Sequence, residues 1–292
     1  MSRPAARARG RLRAMSALAR HDVAAIRAQN PGPFTLTGTN TYVVGRDGAW
    51  VVDPGPALPQ HVEAVAAEVE RRGGFAGIAL THDHPDHAAA VPALRERLGA
   101  GAPLAGMRGA VDLRLADGER AGPFEALATP GHAPDHLTYL LVAPGGSPAA
   151  PAPATAPARG ALAFTGDAVL GEGSVFVAPD PGALAGYLAG LERLRERAPA
   201  LICPGHGPLV EDPDAKIAEY LEHRLARERA LLAALAAGAR TIDAMLDAAW
   251  ADAPPFLRPA AAVTLAAHLD KLADEDRLPA GVERPRRPPW LP

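Results

Sequence analysis

His82-Asp83-His84-Pro85-Asp86-His87 is the stretch that decides how this chain folds. Three imidazoles and two carboxylates in six residues serve packing poorly, because every buried polar group needs a partner. Upstream lies the apolar run Phe75 to Leu80, with Thr81 as its stop. Downstream lies an alanine-rich stretch, Ala88 to Leu98, that reads as helical. The cluster therefore falls on a strand-to-helix turn, where side chains converge on one point beyond the strand end. Zinc accepts neutral imidazole and carboxylate, and a catalytic zinc keeps one position open for water. The plainer alternative is an exposed polar loop that happens to be rich in histidine.

Four more segments decide between these readings. Val51-Val52-Asp53-Pro54-Gly55 lies upstream; Thr129-Pro130-Gly131-His132, Phe164-Thr165-Gly166-Asp167 and Cys203-Pro204-Gly205-His206-Gly207 lie downstream. Each is a turn beside a glycine that presents one His or Asp, in most cases after an apolar run. Together with the histidine motif, the downstream three supply five His and two Asp, the inventory of a two-metal site. On these motifs the chain resembles the metallo-beta-lactamase superfamily, which implies an α/β fold: an αββα sandwich with metals at one edge.

The resemblance implies a role for each residue. His82, His84 and His132 would hold a first metal, and Asp86, His87 and His206 a second, with Asp167 bridging them. Two cations about 3.5–4 Å apart lower the pKa of a shared water and brace the oxyanion its attack creates, so no Ser or Cys nucleophile is needed. Zn2+ is the expected ion at two per chain, with Mn or Fe also suited to nitrogen and oxygen ligands. Asp86 and Asp167 are the expected catalytic carboxylates. Asp53 would orient the histidine loop from behind, its alternative being a plain turn carboxylate. His136 is a candidate for substrate contact or packing. His21, His61, His223 and His268 read as ordinary. The only cysteine, Cys203, lies apart from this set, unlike the ligand Cys of true beta-lactamases.

A chain of 292 residues suggests one large domain and one small one. Basic residues are nearly all Arg, with Lys only at Lys216 and Lys271. This bias discounts Arg counts as a sign of nucleic-acid binding. One cysteine excludes an internal disulfide and suits a reducing cytoplasm, the expected location. No apolar run of ~18 residues is present, so no membrane span is expected. Residues 1–20 carry six Arg and no acid, which reads as a disordered leader or, alternatively, a transit peptide.

Residues 21–214 are expected to form the catalytic domain, with Arg46-Asp47-Gly48 as a hairpin turn and Pro59 to Arg72 as a helix. Residues 143–160, almost only Ala, Pro, Gly and Ser, read as a low-complexity loop. Residues 215–278 show three helical stretches followed by a possible wing, a small winged-helix-like domain, and residues 279–292 a basic solvated tail. The opening Asn30 to Tyr42, Thr165-Gly166-Asp167 running into Gly171-Glu172-Gly173, and the helical C-terminal module resemble the beta-lactamase-like protein two branch. Ala89-Ala90 departs from it, where relatives carry glycines.

Members of that branch include thioesterases and endoribonucleases. Residues 21–214 hold 13 basic against 22 acidic groups, while residues 215–292 hold 11 of each. RNA binding draws on phosphate neutralisation, which an acidic domain serves poorly. The expectation is a small-molecule acyl substrate, a thioester or ester, ahead of single-stranded RNA. A non-catalytic regulatory protein is the third reading, and the intact ligand set weighs against it.

Overall fold

A computed structural model describes residues 16–142 and 160–289. The expected loop 143–160, all but its last residue, most of the leader, and Trp290 lie outside the described residues. Strands β1 (Val23–Arg27), β2 (Asn40–Val44), β3 (Ala49–Val52), β4 (Phe75–Ala79), β5 (Leu104–Gly106) and β6 (Leu113–Arg114) form one sheet in sequence order. The first two pairings are antiparallel and the remaining three parallel. Strands β7 (Arg120–Ala121), β8 (Phe124–Ala128), β9 (Leu137–Leu141), β10 (Leu162–Gly166) and β11 (Leu201–Pro204) form the second, in which only β10–β11 is parallel. The expected hairpin joins β2 to β3, with Asp47 and Gly48 both at positive φ, 55° and 124°.

Strands β3, β10 and β11 are buried throughout because both of their faces are covered. Between the sheets, Tyr42, Trp50, Phe124, Tyr139, Phe164 and Cys203 share one core. Outside the first sheet pack α1 (Pro59–Arg71) and α3 (Val91–Leu98), through Val62, Val65, Val69 and Leu94. Outside the second packs α4 (Ala183–Glu196), through Leu184, Tyr187 and Leu191. This is the αββα layering. The expected helix from Ala88 is two pieces, α2 (Pro85–Ala88) and α3. They part because the Ala90 N–H donates to Gly55 O (2.9 Å) instead of continuing the helix, and Pro92 has no N–H.

Three helices follow: α5 (Pro213–Ala236), α6 (Ile242–Ala249) and α7 (Arg258–Asp274). Thr241 caps α6 by accepting from the Ala244 N–H. Leu231, Leu235, Met245, Leu246, Leu265 and Leu269 form a second core there. Helix α5 crosses the expected boundary at 214/215: its Ile217, Tyr220 and Leu221 belong to the sandwich core, its Leu231 and Leu235 to the second.

One terminal expectation is corrected, at the end of the leader. Residues 16–20 are helical and Leu18 is buried in the inter-sheet core, so the leader's end packs because it carries a leucine the core can take. Residues 279–289 of the tail are mostly exposed and are tied down at a few points. Leu278 and Val282 pack on the second core, the Glu283 N–H donates to Arg240 O (2.8 Å), and the Glu283 carboxylate accepts from the Ile242 N–H (2.9 Å). Among the described residues, no helix is long and apolar enough to cross a membrane.

Candidate metal centre

Every candidate residue follows a strand end. Asp53 follows β3, His82 to His87 follow β4, His132 follows β8, Asp167 follows β10 and His206 follows β11. The two sheets thus deliver side chains to a single edge. Three groups of potential ligand atoms gather there, each within 4.8 Å of one another: His82, His84 and His132; His82, His87 and Asp167; Asp86, His87 and His206.

Hydrogen-bond partners fix the direction of the ring lone pairs. Thr81 Oγ1 spends its proton on Asp53 Oδ2 (2.8 Å), so it accepts from His82 Nδ1 (3.0 Å), leaving His82 Nε2 with a lone pair. His132 Nδ1 faces the Phe176 carbonyl (3.3 Å), which only accepts, so His132 Nε2 is also a lone pair. Both Nε2 atoms lie 3.0 Å from His84 Nδ1. His84 Nδ1 carries at most one proton, which two Nε2 lone pairs would have to share, whereas a cation among the three nitrogens meets all of them. Tetrahedral zinc with arms of 2.0–2.1 Å places its ligands about 3.4 Å apart, close to this spacing.

In the second group, His87 is held the same way. His87 Nδ1 donates to Asp53 Oδ2 (2.8 Å), which turns His87 Nε2 toward the site. His87 Nε2 lies 3.3 Å from His206 Nε2 and 3.5 Å from Asp86 Oδ2, and His206 Nε2 lies 3.1 Å from Asp86 Oδ2. Asp167 faces both halves. Its Oδ1 is 3.4 Å from both His87 Nε2 and His206 Nε2, and its Oδ2 is 3.5 Å from His132 Nε2. Asp167 Oδ1 is also buried without a hydrogen-bond partner. Beside it, a Cβ on Gly205 would fall 2.6 Å from His87 Cε1 and 2.7 Å from Asp167 Oδ1, so glycine keeps the space between the halves clear.

The electrostatics divide along the same line. Burial, helped by neighbouring histidines, pushes the pKa of His82 well below the ordinary imidazole value. Burial likewise lowers His84 and brings His132 to about 4. These rings stay neutral and keep their lone pairs. Burial opposes charge on His87 and His206 too, but the carboxylates around them together outweigh it, Asp167 with Asp53 raising His87 well above its ordinary value and Asp167 with Asp86 raising His206 to about 9. One half offers neutral nitrogen donors and the other draws in positive charge. An orphaned carboxylate oxygen, converging lone pairs and a cation-seeking pocket fit metal ions.

Asp53 stands behind the ligands. Its carboxylate accepts from the Thr81 N–H and Oγ1–H (both 2.8 Å) as well as from His87. Its own backbone is left-handed, φ 50°. Of the two readings of His136, the structure favours packing. It is fully buried, because its Nε2 accepts from the Asp167 N–H (3.1 Å) and its Nδ1 bonds Thr129 Oγ1 (2.9 Å). His61 is buried too, against Thr41 Oγ1 (2.9 Å). Ala90 is buried in the core outside the first sheet.

A cavity of about 480 Å³ opens on His132 and Asp167. Phe34, Leu170, Val175 and Phe176 line it from the sandwich, Trp250 and Leu257 from the C-terminal helices. His223 lies on its wall, although its sequence surroundings read as an ordinary helix; its spacing from Tyr220, Arg224 and Arg227 on one helix face was the available signal.

Comparisons with known proteins agree with this architecture. The metallo-beta-lactamase superfamily pattern matches residues 34–148, and the beta-lactamase associated winged helix domain matches residues 241–279. Lactamase-like protein adaB of Aspergillus niger is 32% identical over 272 residues, 85% of this chain and 79% of that protein. The atrochrysone carboxyl ACP thioesterase of Aspergillus chevalieri is 34% identical over 224 residues, 73% of this chain and 65% of that one. The beta-lactamase-like protein 2 homolog of Caenorhabditis elegans is 29% identical over 269 residues, 87% and 84% of the two chains. With its strand-end histidines and appended helical domain, this chain belongs to the metallo-beta-lactamase superfamily of hydrolases.

Proposed function

We propose that the chain is a cytoplasmic binuclear zinc hydrolase acting on a thioester or ester. The cavity carries this reading: its walls are mainly apolar side chains from both domains, and its floor is the His132–Asp167 edge of the metal centre. An acyl chain suits such walls, whereas a phosphate backbone wants free cations. Arg227 is paired with Asp252, Arg229 with Glu222, Arg258 with Asp243 and Asp247, and Arg284 with Asp270. The C-terminal module therefore has much of its basic charge already neutralised by its own carboxylates. The resemblance to an acyl-carrier-protein thioesterase points the same way.

His82, His84 and His132 would hold one cation, Asp86, His87 and His206 the other, and Asp167 both. When bound, two such ions lower the pKa of water and stabilise charge on the substrate's carbonyl oxygen. The chain's own groups do the rest. Asp53 and Thr81 fix the tautomers of His87 and His82, His136 holds the Asp167 backbone, and Phe176 and Trp250 exclude water from the acyl side. Asp86, with 29% of its side chain exposed, is the carboxylate placed to pass a proton to solvent.

The deciding experiment incubates zinc-loaded protein with a panel of acyl-thioesters, reading released thiol, and with labelled single-stranded RNA. Thiol release that needs metal supports the proposal. RNA cleavage with no thioester or ester turnover overturns it and promotes the endoribonuclease reading.

A further inference from the structure

The first metal group is completed by a loop that belongs to neither strand nor helix. Residues 174–178 run beside His132, and the Phe176 carbonyl accepts from His132 Nδ1 (3.3 Å), the contact that leaves Nε2 facing the site. Phe176 also lays its ring on the His132 ring, centroids 4.6 Å apart. The Ala178 N–H donates to Gly131 O (2.9 Å), so the loop is laced to the turn that carries His132.

The other side of this loop is held from the C-terminal helices. Arg224 on α5 donates to Ser174 Oγ (3.0 Å) and to the Val175 carbonyl, and its guanidinium lies over the Tyr187 ring at 5.6 Å. Thr264 on α7 accepts from the Val177 N–H (3.2 Å). Both residues are 2% exposed. Burying an arginine is expensive unless its charge is well used, and here it is spent on the backbone that orients one histidine. Val263 of α7 packs on Ala178, with Phe176 against the pair, which closes the same contact with apolar surface.

We infer that Arg224 and Thr264 are positioning residues for His132, so that the C-terminal domain shapes the first metal group as well as walling the cavity. This rests on the metal reading above. The outer partner of a ligating histidine fixes its tautomer and ring direction, and its loss weakens metal binding by about 10–100-fold. Both bonds come from Nη2, so lysine at 224 keeps the charge but loses the planar guanidinium that lies over Tyr187 and fixes the direction of those two donors. Valine at 264 keeps the shape and removes the acceptor for Val177.

The test uses full-length wild type, Arg224→Lys, Thr264→Val and, as a control on the exposed face of α5, Arg229→Ala. Each is stripped of metal and titrated with Co2+, reading the visible ligand-field spectrum and the affinities against a competing chelator. Arg224→Lys and Thr264→Val are expected to weaken one Co2+ site about 10-fold or more and alter its spectrum, with the other site unchanged and Arg229→Ala like wild type. Variants that fold by circular dichroism yet keep wild-type spectra and affinities overturn the inference, even if their melting temperatures fall. Should Arg224→Lys fail to fold, Thr264→Val decides by the same criterion. A wild-type chain that takes up no Co2+ overturns the metal reading, and this inference with it.

Discussion

Asp53→Asn probes the support of the metal centre without touching a ligand. The carboxylate receives three donors: the Thr81 N–H on Oδ1, and Thr81 Oγ1–H with His87 Nδ1–H on Oδ2. An amide offers one acceptor oxygen and one NH2. If the NH2 replaces Oδ2, it confronts His87 and Thr81; if it replaces Oδ1, it confronts the Thr81 N–H. Either way a buried donor is orphaned, at about 1–3 kcal/mol. His87 can escape by moving its proton to Nε2, but that removes the lone pair the site needs. The expected loss is 10–100-fold in affinity at the second site, about 1.4–2.7 kcal/mol. Asparagine tolerates the left-handed backbone at this position, φ 50°, so the change isolates the hydrogen bonds from backbone strain. Chelator competition on the metal-loaded protein reads the two affinities separately. Unchanged affinity at both sites in Asp53→Asn refutes the assignment of His87 and its carboxylate partner.

Elemental analysis of zinc-reconstituted protein should give about two equivalents per chain, since seven ligands exceed the four of one tetrahedral site; saturation at one removes the binuclear scheme. Asp167→Ala should abolish turnover with the circular dichroism spectrum preserved, and His206→Ala should empty the second group preferentially; near wild-type rates in Asp167→Ala would show the shared carboxylate to be dispensable. In the C-terminal core, His268 and then Lys271 hold the Glu228 carboxyl down to about 2, below its ordinary value near ~4.3. A depressed folded-state pKa gives stability that is full above the ordinary value and lost as pH falls through about 2. Thermal melts should show Glu228→Gln removing part of the wild-type loss of stability between pH ~5 and ~2; identical pH profiles would contradict that role.

The candidate ligands were legible because each sits in a short motif at a strand end, where local sequence carries both the turn and the side chain. The spacing of His82 to His87 and the glycines beside Asp167 and His206 drew notice as a set, and the resemblance that set carries implied the role of each. What surrounds them was not legible. Thr81 was read only as the stop of a strand, although its hydroxyl orders both Asp53 and His82. The loop 174–178 meets His132 across 44 residues of chain, and Thr264 meets that loop across 87. Periodicity reports which face of an element is apolar, and is silent on which loops end up adjacent. His136 shows the same limit from the other side: a histidine four residues after a ligand suggests the pocket, but two hydrogen bonds turn it inward. The ion pairs of the tail were not legible either, because its arginines are visible in sequence while their partners, Asp270 and Asp180, are distant.

Helix α5 has a consequence for anyone recombining this chain with its relatives. At 24 residues it is about 36 Å long, a single rod with one end rooted in each hydrophobic core. A chimaera spliced at residue 214 would strip Ile217, Tyr220 and Leu221 from the sandwich and replace them with a donor's side chains. A splice between Leu225 and Ala230 leaves each root with its native neighbours, and Leu225, 43% exposed, marks where the rod passes between them. The rod also joins the two cores mechanically, so they should melt as one cooperative unit, and a library of swapped C-terminal domains should keep its fold only when the seam falls in that central turn.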